Sequence, residues 1–124
     1  MKLLTKEIER KLPPIGATEN QADPIIRVKF FTPDSFWTWY GIEYDPKERL
    51  FFGLVRGFEE EMGYFSLAEL EHVRGPLGLP IERDKFWDPV PISKVRTKLN
   101  TDEFVEGHFE KLSDLINDLP GKID

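Results

Sequence analysis

Three segments rich in β-branched and aromatic residues follow one another between residues 25 and 56, and the turns between them are short. Residues 25–31, 36–44 and 50–56 each match the pattern of a strand. The turns at 32–35 and 45–49 contain proline and aspartate, which favour tight reversals of the chain. Strands joined by such short turns pair in antiparallel fashion. The sequence therefore predicts an antiparallel meander at the centre of the fold.

Three helices are predicted around this sheet. The first spans residues 3–12, where Thr5 is the N-cap residue and apolar residues recur at helical spacing before Pro13. The second begins at a capping box formed by Ser66 and Glu69. The third carries an apolar stripe through residues 100–119. We therefore expect an α+β fold, an antiparallel meander sheet of three to four strands with N-terminal, middle and C-terminal helices packed on it.

The acidic residues are distributed unevenly along the chain. Its 124 residues include 17 Lys+Arg and 23 Asp+Glu, which gives a net charge of −6. Residues 100–124 contain 2 of the basic and 7 of the acidic residues, so that segment carries −5 and residues 1–99 carry −1. We expect residues 1–99 to form a single, nearly neutral α+β domain and residues 100–124 to form an acidic amphipathic helix packed on it. The overall charge argues against a broad basic face for duplex nucleic acid.

The composition excludes several kinds of chemistry. The chain has no cysteine, which excludes disulfides, thiolate nucleophiles and cysteine-ligated zinc and fits a reducing compartment. Its first ten residues mix charged with apolar side chains, unlike a signal peptide, and no later run is apolar enough to span a membrane. We therefore expect a cytoplasmic protein with no membrane partner.

Four blocks of sequence resemble a known family. They are Phe-Thr-Pro-Asp-Ser-Phe-Trp-Thr-Trp-Tyr at 31–40, Phe-Phe-Gly-Leu-Val at 51–55, Gly-Tyr-Phe-Ser-Leu-Ala-Glu-Leu at 63–70, and Arg-Gly-Pro-Leu-Gly-Leu-Pro-Ile-Glu-Arg-Asp at 74–84. Their order and spacing resemble the bacterial domain-of-unknown-function family 2958, over roughly residues 3–95. That family is often seen on plasmids and other mobile elements. The resemblance implies a setting of host takeover or counter-defence and assigns no role to any residue.

Trp37, Trp39 and Tyr40 are the first candidate binding residues. Alternate residues of a strand share a face, so Trp37 and Trp39 should point to one side of the sheet and Tyr40 to the other. Two tryptophans on one face can stack on bases, on sugars or on the side chains of a partner. In a chain of this size, burial of both rings in the core is the favoured expectation.

Glu43, Glu82, Arg83 and Asp84 are further candidates. Glu43 ends the second predicted strand, and the other three follow a segment rich in proline and glycine that would hold them in place. Clustered carboxylates can hold Mg²⁺ or transfer protons. However, none of them lies in a recognised catalytic motif, and ion pairing accounts for such residues more simply. We therefore predict no catalytic residue, no metal site and no cofactor.

Glu106, Glu110 and Asp114 form an acidic ridge on the last predicted helix. Side chains three or four residues apart on a helix stand about 5–6 Å from each other. That distance is close to the spacing of phosphates along nucleic acid, so the ridge could imitate DNA or dock on a basic partner. A solvated helix face with no partner is the favoured interpretation.

Three functions remain open on the sequence. The leading hypothesis is a non-catalytic protein-interaction module of a mobile element, with a protein partner and with counter-defence as its refinement. The second is a small metal-assisted hydrolase or nuclease accessory that uses clustered carboxylates. The third is a single-stranded nucleic-acid binder that uses the face of Trp37 and Trp39, which the overall charge disfavours.

Overall fold

The computed structural model describes residues 1–96, and an antiparallel sheet dominates it. The strands are β1 (Ile25–Ile26), β2 (Val28–Phe31), β3 (Thr38–Asp45), β4 (Leu50–Arg56), β5 (Glu60–Ser66), β6 (Glu82–Arg83) and β7 (Val90–Pro91). The helices are α1 (Lys6–Lys11) and α2 (Leu67–His72), and a 3-10 turn spans Ile92–Lys94. Five strands form the main sheet in the order β5-β4-β3-β2-β6, while β1 and β7 form a separate pair. The chain divides into two compact units, Met1–Ile92 and Ser93–Asp124, and all of these strands belong to the first.

The α+β class and the antiparallel sheet are confirmed, but the sheet is larger than expected. Its fifth strand, β6, pairs Arg83 with Phe30 and Glu82 with Phe31. A strand of two residues has no alternating pattern by which a sequence could reveal it. The strand predicted at 25–31 is divided at Arg27, so that its two parts join different sheets.

The second strand begins two residues later than predicted, because the turn before it is longer. The hydroxyl Oγ1 of Thr32 accepts the N–H of Trp37 at 2.9 Å. The N–H of Thr32 donates to the carbonyl of Trp37 at 3.1 Å. These two bonds close a turn that includes Phe36 and Trp37, and β3 starts at Thr38.

Both helices begin directly after the capping residues that the sequence indicates, so α1 starts at Lys6 and not at residue 3 as predicted. Thr5 Oγ1 accepts the N–H of Ile8 at 3.2 Å, and Ser66 Oγ accepts the N–H of Glu69 at 3.1 Å. The predicted helix at 100–119 lies outside the described residues. Neither described helix has the length and apolar character that crossing a membrane requires.

The main core lies on one face of the sheet, beneath both helices. Phe51 is at its centre, with its ring 5.5 Å from that of Phe30, 5.0 Å from that of Phe65 and 4.5 Å from that of Tyr44. The buried members of this core are Leu3, Leu4, Leu12, Val28, Phe30, Trp39, Tyr44, Phe51, Phe65, Leu67, Leu70 and Ile81. Each large apolar side chain removed from water in this way contributes about 1.5–3 kcal/mol to folding.

A β-bulge in β3 allows the opposite face to be buried as well. The register between β3 and β4 shifts between Gly41 and Glu43. Before the shift Trp39 points into the main core, and after it Tyr44 does. Tyr40 and Ile42 are buried outside that core, together with Ile26, Leu54 and Ile92. The sheet therefore has buried side chains on both faces.

Candidate binding surface

Three aromatic side chains form an exposed cluster at one end of the sheet. Phe36, Trp37 and Phe58, which we call the aromatic cluster, come from the turns before β3 and after β4. The side chain of Phe36 is 56% exposed and that of Phe58 is 82% exposed. Their rings meet edge to face at 5.4 Å, and each also contacts the ring of Trp37, at 6.3 Å and 5.5 Å respectively. The rings of Phe36 and Phe58 are therefore both exposed to solvent, and both pack against the half-buried ring of Trp37.

A glycine allows Trp37 to lie against the turn after β4. A Cβ atom on Gly57 would lie 2.2 Å from the ring of Trp37, which is far inside van der Waals contact. The indole thus packs directly on the backbone of that turn. Together with the two hydrogen bonds between Trp37 and Thr32, this contact fixes the ring in position.

Trp39 connects the aromatic cluster to the core and lines a groove. Its ring stacks on that of Trp37 at 5.9 Å, and its side chain is 9% exposed. A cavity of about 320 Å³ lies between these two rings and residues 73–76. We call this cavity the tryptophan groove. One of the two tryptophans is therefore a core residue, and the other lies between the core and the exposed rings.

Asp34 holds in place the segment that follows residues 73–76 of the groove. Its Oδ2 accepts the backbone N–H groups of Leu77 at 2.7 Å and of Leu79 at 3.3 Å. Gly75 is required at this contact, because a Cβ there would lie 1.6 Å from Asp34 Oδ1. The side chain of Leu77 is 80% exposed and that of Leu79 is 44% exposed, so this segment presents apolar side chains to solvent.

Tyr40 faces away from the two tryptophans. It is buried, its ring is 5.7 Å from that of Trp87, and the guanidinium of Arg56 lies 5.5 Å from its centre. Burial raises the pKa of Tyr40, the charge of Arg56 opposes that effect, and the charge of Glu60 adds to it. A ligand on the tryptophan face would not contact Tyr40.

Glu43 anchors a loop to the sheet. The residue is 2% exposed, and its Oε1 accepts the N–H of Gly16 at 2.7 Å. Its Oε2 accepts both the N–H of Thr18, at 2.8 Å, and the hydroxyl of Thr18. Burial acts to raise the pKa of Glu43, but these hydrogen bonds outweigh it, and the pKa lies below its ordinary value of 4.5. This carboxylate holds the segment before β1 in place.

Glu82, Arg83 and Asp84 line one pocket, but Arg83 and Asp84 are each engaged with a different partner. The guanidinium of Arg83 donates to the carbonyls of Lys2 and Leu3, at 3.0 Å for Leu3. Asp84 pairs with Lys29 at 3.7 Å. Among residues 1–96, no three histidine, aspartate or glutamate side chains are grouped closely enough to hold a metal ion.

The remaining predicted site residues, Glu106, Glu110 and Asp114, lie outside the described residues. Phe36 and Phe58 were not among the site residues predicted from the sequence. Both belong to turns, and Phe58 directly precedes three glutamates. A large apolar side chain in a charged turn is the signal that could have identified them, since such a turn has no core to bury it.

Comparison with known proteins gives one assignment. A family model described as "Protein of unknown function (DUF2958)" matches residues 3–102, which include the aromatic cluster and the tryptophan groove. No curated protein and no solved structure gives a significant match. The match covers well over half of the chain and confirms the resemblance seen in the four sequence blocks. The chain therefore belongs to the DUF2958 family.

Proposed function

We propose that this protein is a non-catalytic protein-binding module whose contact surface is the aromatic cluster with the adjoining tryptophan groove. The observation that supports it is the exposure of Phe36 and Phe58, 56% and 82%, on a fixed base of stacked tryptophans. Contiguous exposed apolar side chains on a soluble domain are typical of interaction surfaces. Aromatic anchors in fixed positions supply much of the binding energy of such surfaces.

The charges beside the aromatic cluster favour a basic partner. Asp34 lies in the same turn as Phe36, and Glu59 and Glu61 follow Phe58. Arg74 lines the adjoining groove, where its guanidinium donates to the carbonyls of Glu71 and Val73. The acidic rim of the aromatic cluster repels phosphates and attracts lysine and arginine side chains. The partner that fits this surface is a protein with an exposed apolar side chain flanked by basic residues. A nucleic-acid-binding host protein meets that description. In a counter-defence role, this protein would bind such a host protein and mask its nucleic-acid-binding surface.

The two other functions receive less support. Trp39 and Tyr40 are buried and face opposite sides of the sheet, so a single strand of nucleic acid would lack a continuous stacking platform. Glu82 and Asp84 line one pocket, but Glu43 is not among its residues, and the carboxylates of Glu43 and Asp84 are occupied by hydrogen bonds or an ion pair. Neither arrangement favours single-strand binding or metal-assisted hydrolysis.

The experiment compares the variant with both Phe36→Ser and Phe58→Ser against a Phe86→Ser control. Phe86 is 92% exposed and lies after β6, outside the aromatic cluster. Proteins captured from a bacterial lysate by the wild-type chain are identified, purified and titrated against all three chains by calorimetry. We expect the double variant to weaken binding by at least about tenfold, or about 1.4 kcal/mol, and the control to leave it unchanged.

Two results decide the outcome. Equal affinities of the double variant and the wild-type chain would show that the contact surface lies elsewhere. Loss of binding in the Phe86→Ser control as well would show that any exposed ring serves, which contradicts a specific surface. Circular dichroism of each variant establishes that the fold is retained, as expected for substitutions at exposed positions.

A further inference from the structure

A second cleft lies between α1 and the segment that joins β6 to β7. Its volume is about 270 Å³, and none of its lining residues belongs to the tryptophan groove. Ile8 and Val28 form its apolar part, and Trp87 forms one wall. We call it the Trp87 cleft.

The lining of the Trp87 cleft is basic, although the protein as a whole is acidic. The charged lining residues are Lys11, Arg27, Arg83 and Lys85, with Glu7 and Asp84. Four basic and two acidic side chains give a net charge of +2, in a chain whose net charge is −6. A local positive region in a concave surface attracts anions.

The two carboxylates of the lining are already paired. Asp84 lies 3.7 Å from Lys29, which is not itself part of the lining, and its Oδ1 accepts the N–H of Phe86 at 2.9 Å. Glu7 lies 3.9 Å from Lys11, one turn away on α1. The charges of Arg27, Arg83 and Lys85 are therefore left without a carboxylate partner among the residues that the structure describes.

Arg27 has a donor with no acceptor. Its Nε is buried and makes no hydrogen bond within residues 1–96. Its backbone is fixed between β1 and β2 by a 2.8 Å bond from its N–H to the carbonyl of Gly41. A buried charged donor without an acceptor is unfavourable, and Arg27 lines the cleft, so an anion bound there would lie beside its charge.

Trp87 offers a flat surface in a fixed orientation. Its Nε1 donates to the carbonyl of Ile26 at 3.1 Å. The ring also contacts Tyr40, and the ammonium of Lys29 lies 5.7 Å from its centre. A ring held by three contacts can stack with a planar group at little entropic cost.

We propose that the Trp87 cleft binds a small anion that carries a planar ring. Its carboxylate or phosphate contacts Arg27 and Lys85, and its ring lies against Trp87 and Ile8. A volume of about 270 Å³ is near the lower end of the range for small-molecule sites, about 300–1,000 Å³, and so favours a ligand with one or two rings.

The test is a titration of the full chain followed by NMR of the indole N–H groups, of which the chain has three. The probes are phenyl phosphate, benzoate, inorganic phosphate and benzyl alcohol. We expect phenyl phosphate or benzoate to shift the resonance of Trp87 in a saturable way and to leave Trp37 and Trp39 unchanged. Whichever of the two binds more tightly identifies the anionic group, and it should exceed both inorganic phosphate and benzyl alcohol by at least about tenfold.

Two variants and a control connect that binding to the basic residues. Arg27→Gln removes the buried donor, and we expect it to weaken binding by about tenfold or more. Lys85→Gln changes an exposed residue, so it keeps the fold and gives an independent reading, with a loss of about threefold or more. Arg10→Gln, on α1 but outside the cleft, should have no effect.

Several results would overturn the proposal. Equal binding of benzyl alcohol and phenyl phosphate would remove the role of the anion. Shifts at Trp37 or Trp39 in place of Trp87 would move the ligand to the tryptophan groove. Wild-type affinity in the Lys85→Gln variant, or no shift of Trp87 with any probe, would show that the cleft does not bind anions of this kind. The proposed role of the aromatic cluster is tested separately, through Phe36 and Phe58.

Discussion

At the scale of single residues, Glu43 is a buried charge that contributes to stability through its hydrogen bonds. The three hydrogen bonds from Gly16 and Thr18 lower its pKa below 4.5 in the folded protein. As the pH falls, the unfolded chain therefore takes up its proton first. The stabilisation is complete above about pH 4.5 and is lost as the pH falls through the folded-state pKa.

We predict that Glu43→Gln lowers the free energy of unfolding by about 2 kcal/mol at pH 7, since it removes a charged acceptor from three donors. The difference from the wild-type chain should become smaller below about pH 4.5, where the wild-type chain also loses this contribution. Urea unfolding at pH 7 and at acidic pH measures both effects. Glu48→Gln, at an exposed turn, is the control. A difference that stays constant with pH would show that the charge of Glu43 is not what stabilises the loop.

The role of a residue was predictable where its hydrogen-bond partner is only a few positions away in the sequence. Thr5 and Ser66 cap helices by bonding an N–H three residues away, so spacing alone identified them. Glu43 bonds residues 25 and 27 positions before it, and no local pattern reveals such a contact. Its selection as a candidate rested on its charge, whereas its observed partners are backbone and hydroxyl groups of its own chain.

At the scale of elements, the segment after α2 combines backbone hydrogen bonds of its own with bonds to one distant carboxylate. Asp34 accepts the N–H groups of Leu77 and Leu79, and it comes from the turn that also carries Phe36. Asp34 thus connects this segment to the turn that carries the exposed ring of Phe36. Loss of that side chain should release the segment without affecting the sheet, because neither N–H belongs to a strand.

We predict that Asp34→Ala lowers the protection of the Leu77 and Leu79 amides against hydrogen exchange by about tenfold, which corresponds to about 1.4 kcal/mol for bonds to a charged acceptor. Asp45→Ala is a matched control. Its carboxylate likewise accepts a backbone N–H, that of Lys47 at 3.0 Å, but in another turn. Unchanged exchange at Leu77 and Leu79 in Asp34→Ala would mean that the segment holds itself in place.

Strand bounds were predictable where both ends are marked by turns. The bounds of β4 were predicted correctly, because the turn at residues 45–49 precedes the strand and Gly57 follows it. Two-residue strands such as β6 exist only through pairing with a distant strand, here with Phe30 and Phe31. Their formation depends on the tertiary fold, so propensity and periodicity do not predict them.

At the scale of the whole molecule, the main sheet has buried side chains on both of its faces. Residues 39–44 of β3 are all buried, although an antiparallel strand often has one solvated face. The sequence contains a sign of this, since apolar residues occupy successive positions at Trp39 and Tyr40. The bulge that turns Tyr44 into the main core was not predictable, because it depends on register with β4.

We predict that both faces unfold in one transition. Ile42 and Phe51 are fully buried on opposite faces, so Ile42→Ala and Phe51→Ala should each lower the free energy of unfolding by about 3 kcal/mol. The indole N–H of Trp39 reports on the main core and that of Trp87 on the other face, beside Tyr40. In each variant, both resonances should disappear at the same urea concentration, because β3 contributes to both cores and cannot be lost from only one. Loss of the Trp87 resonance before that of Trp39 in Ile42→Ala would show that the second face is an independent unit.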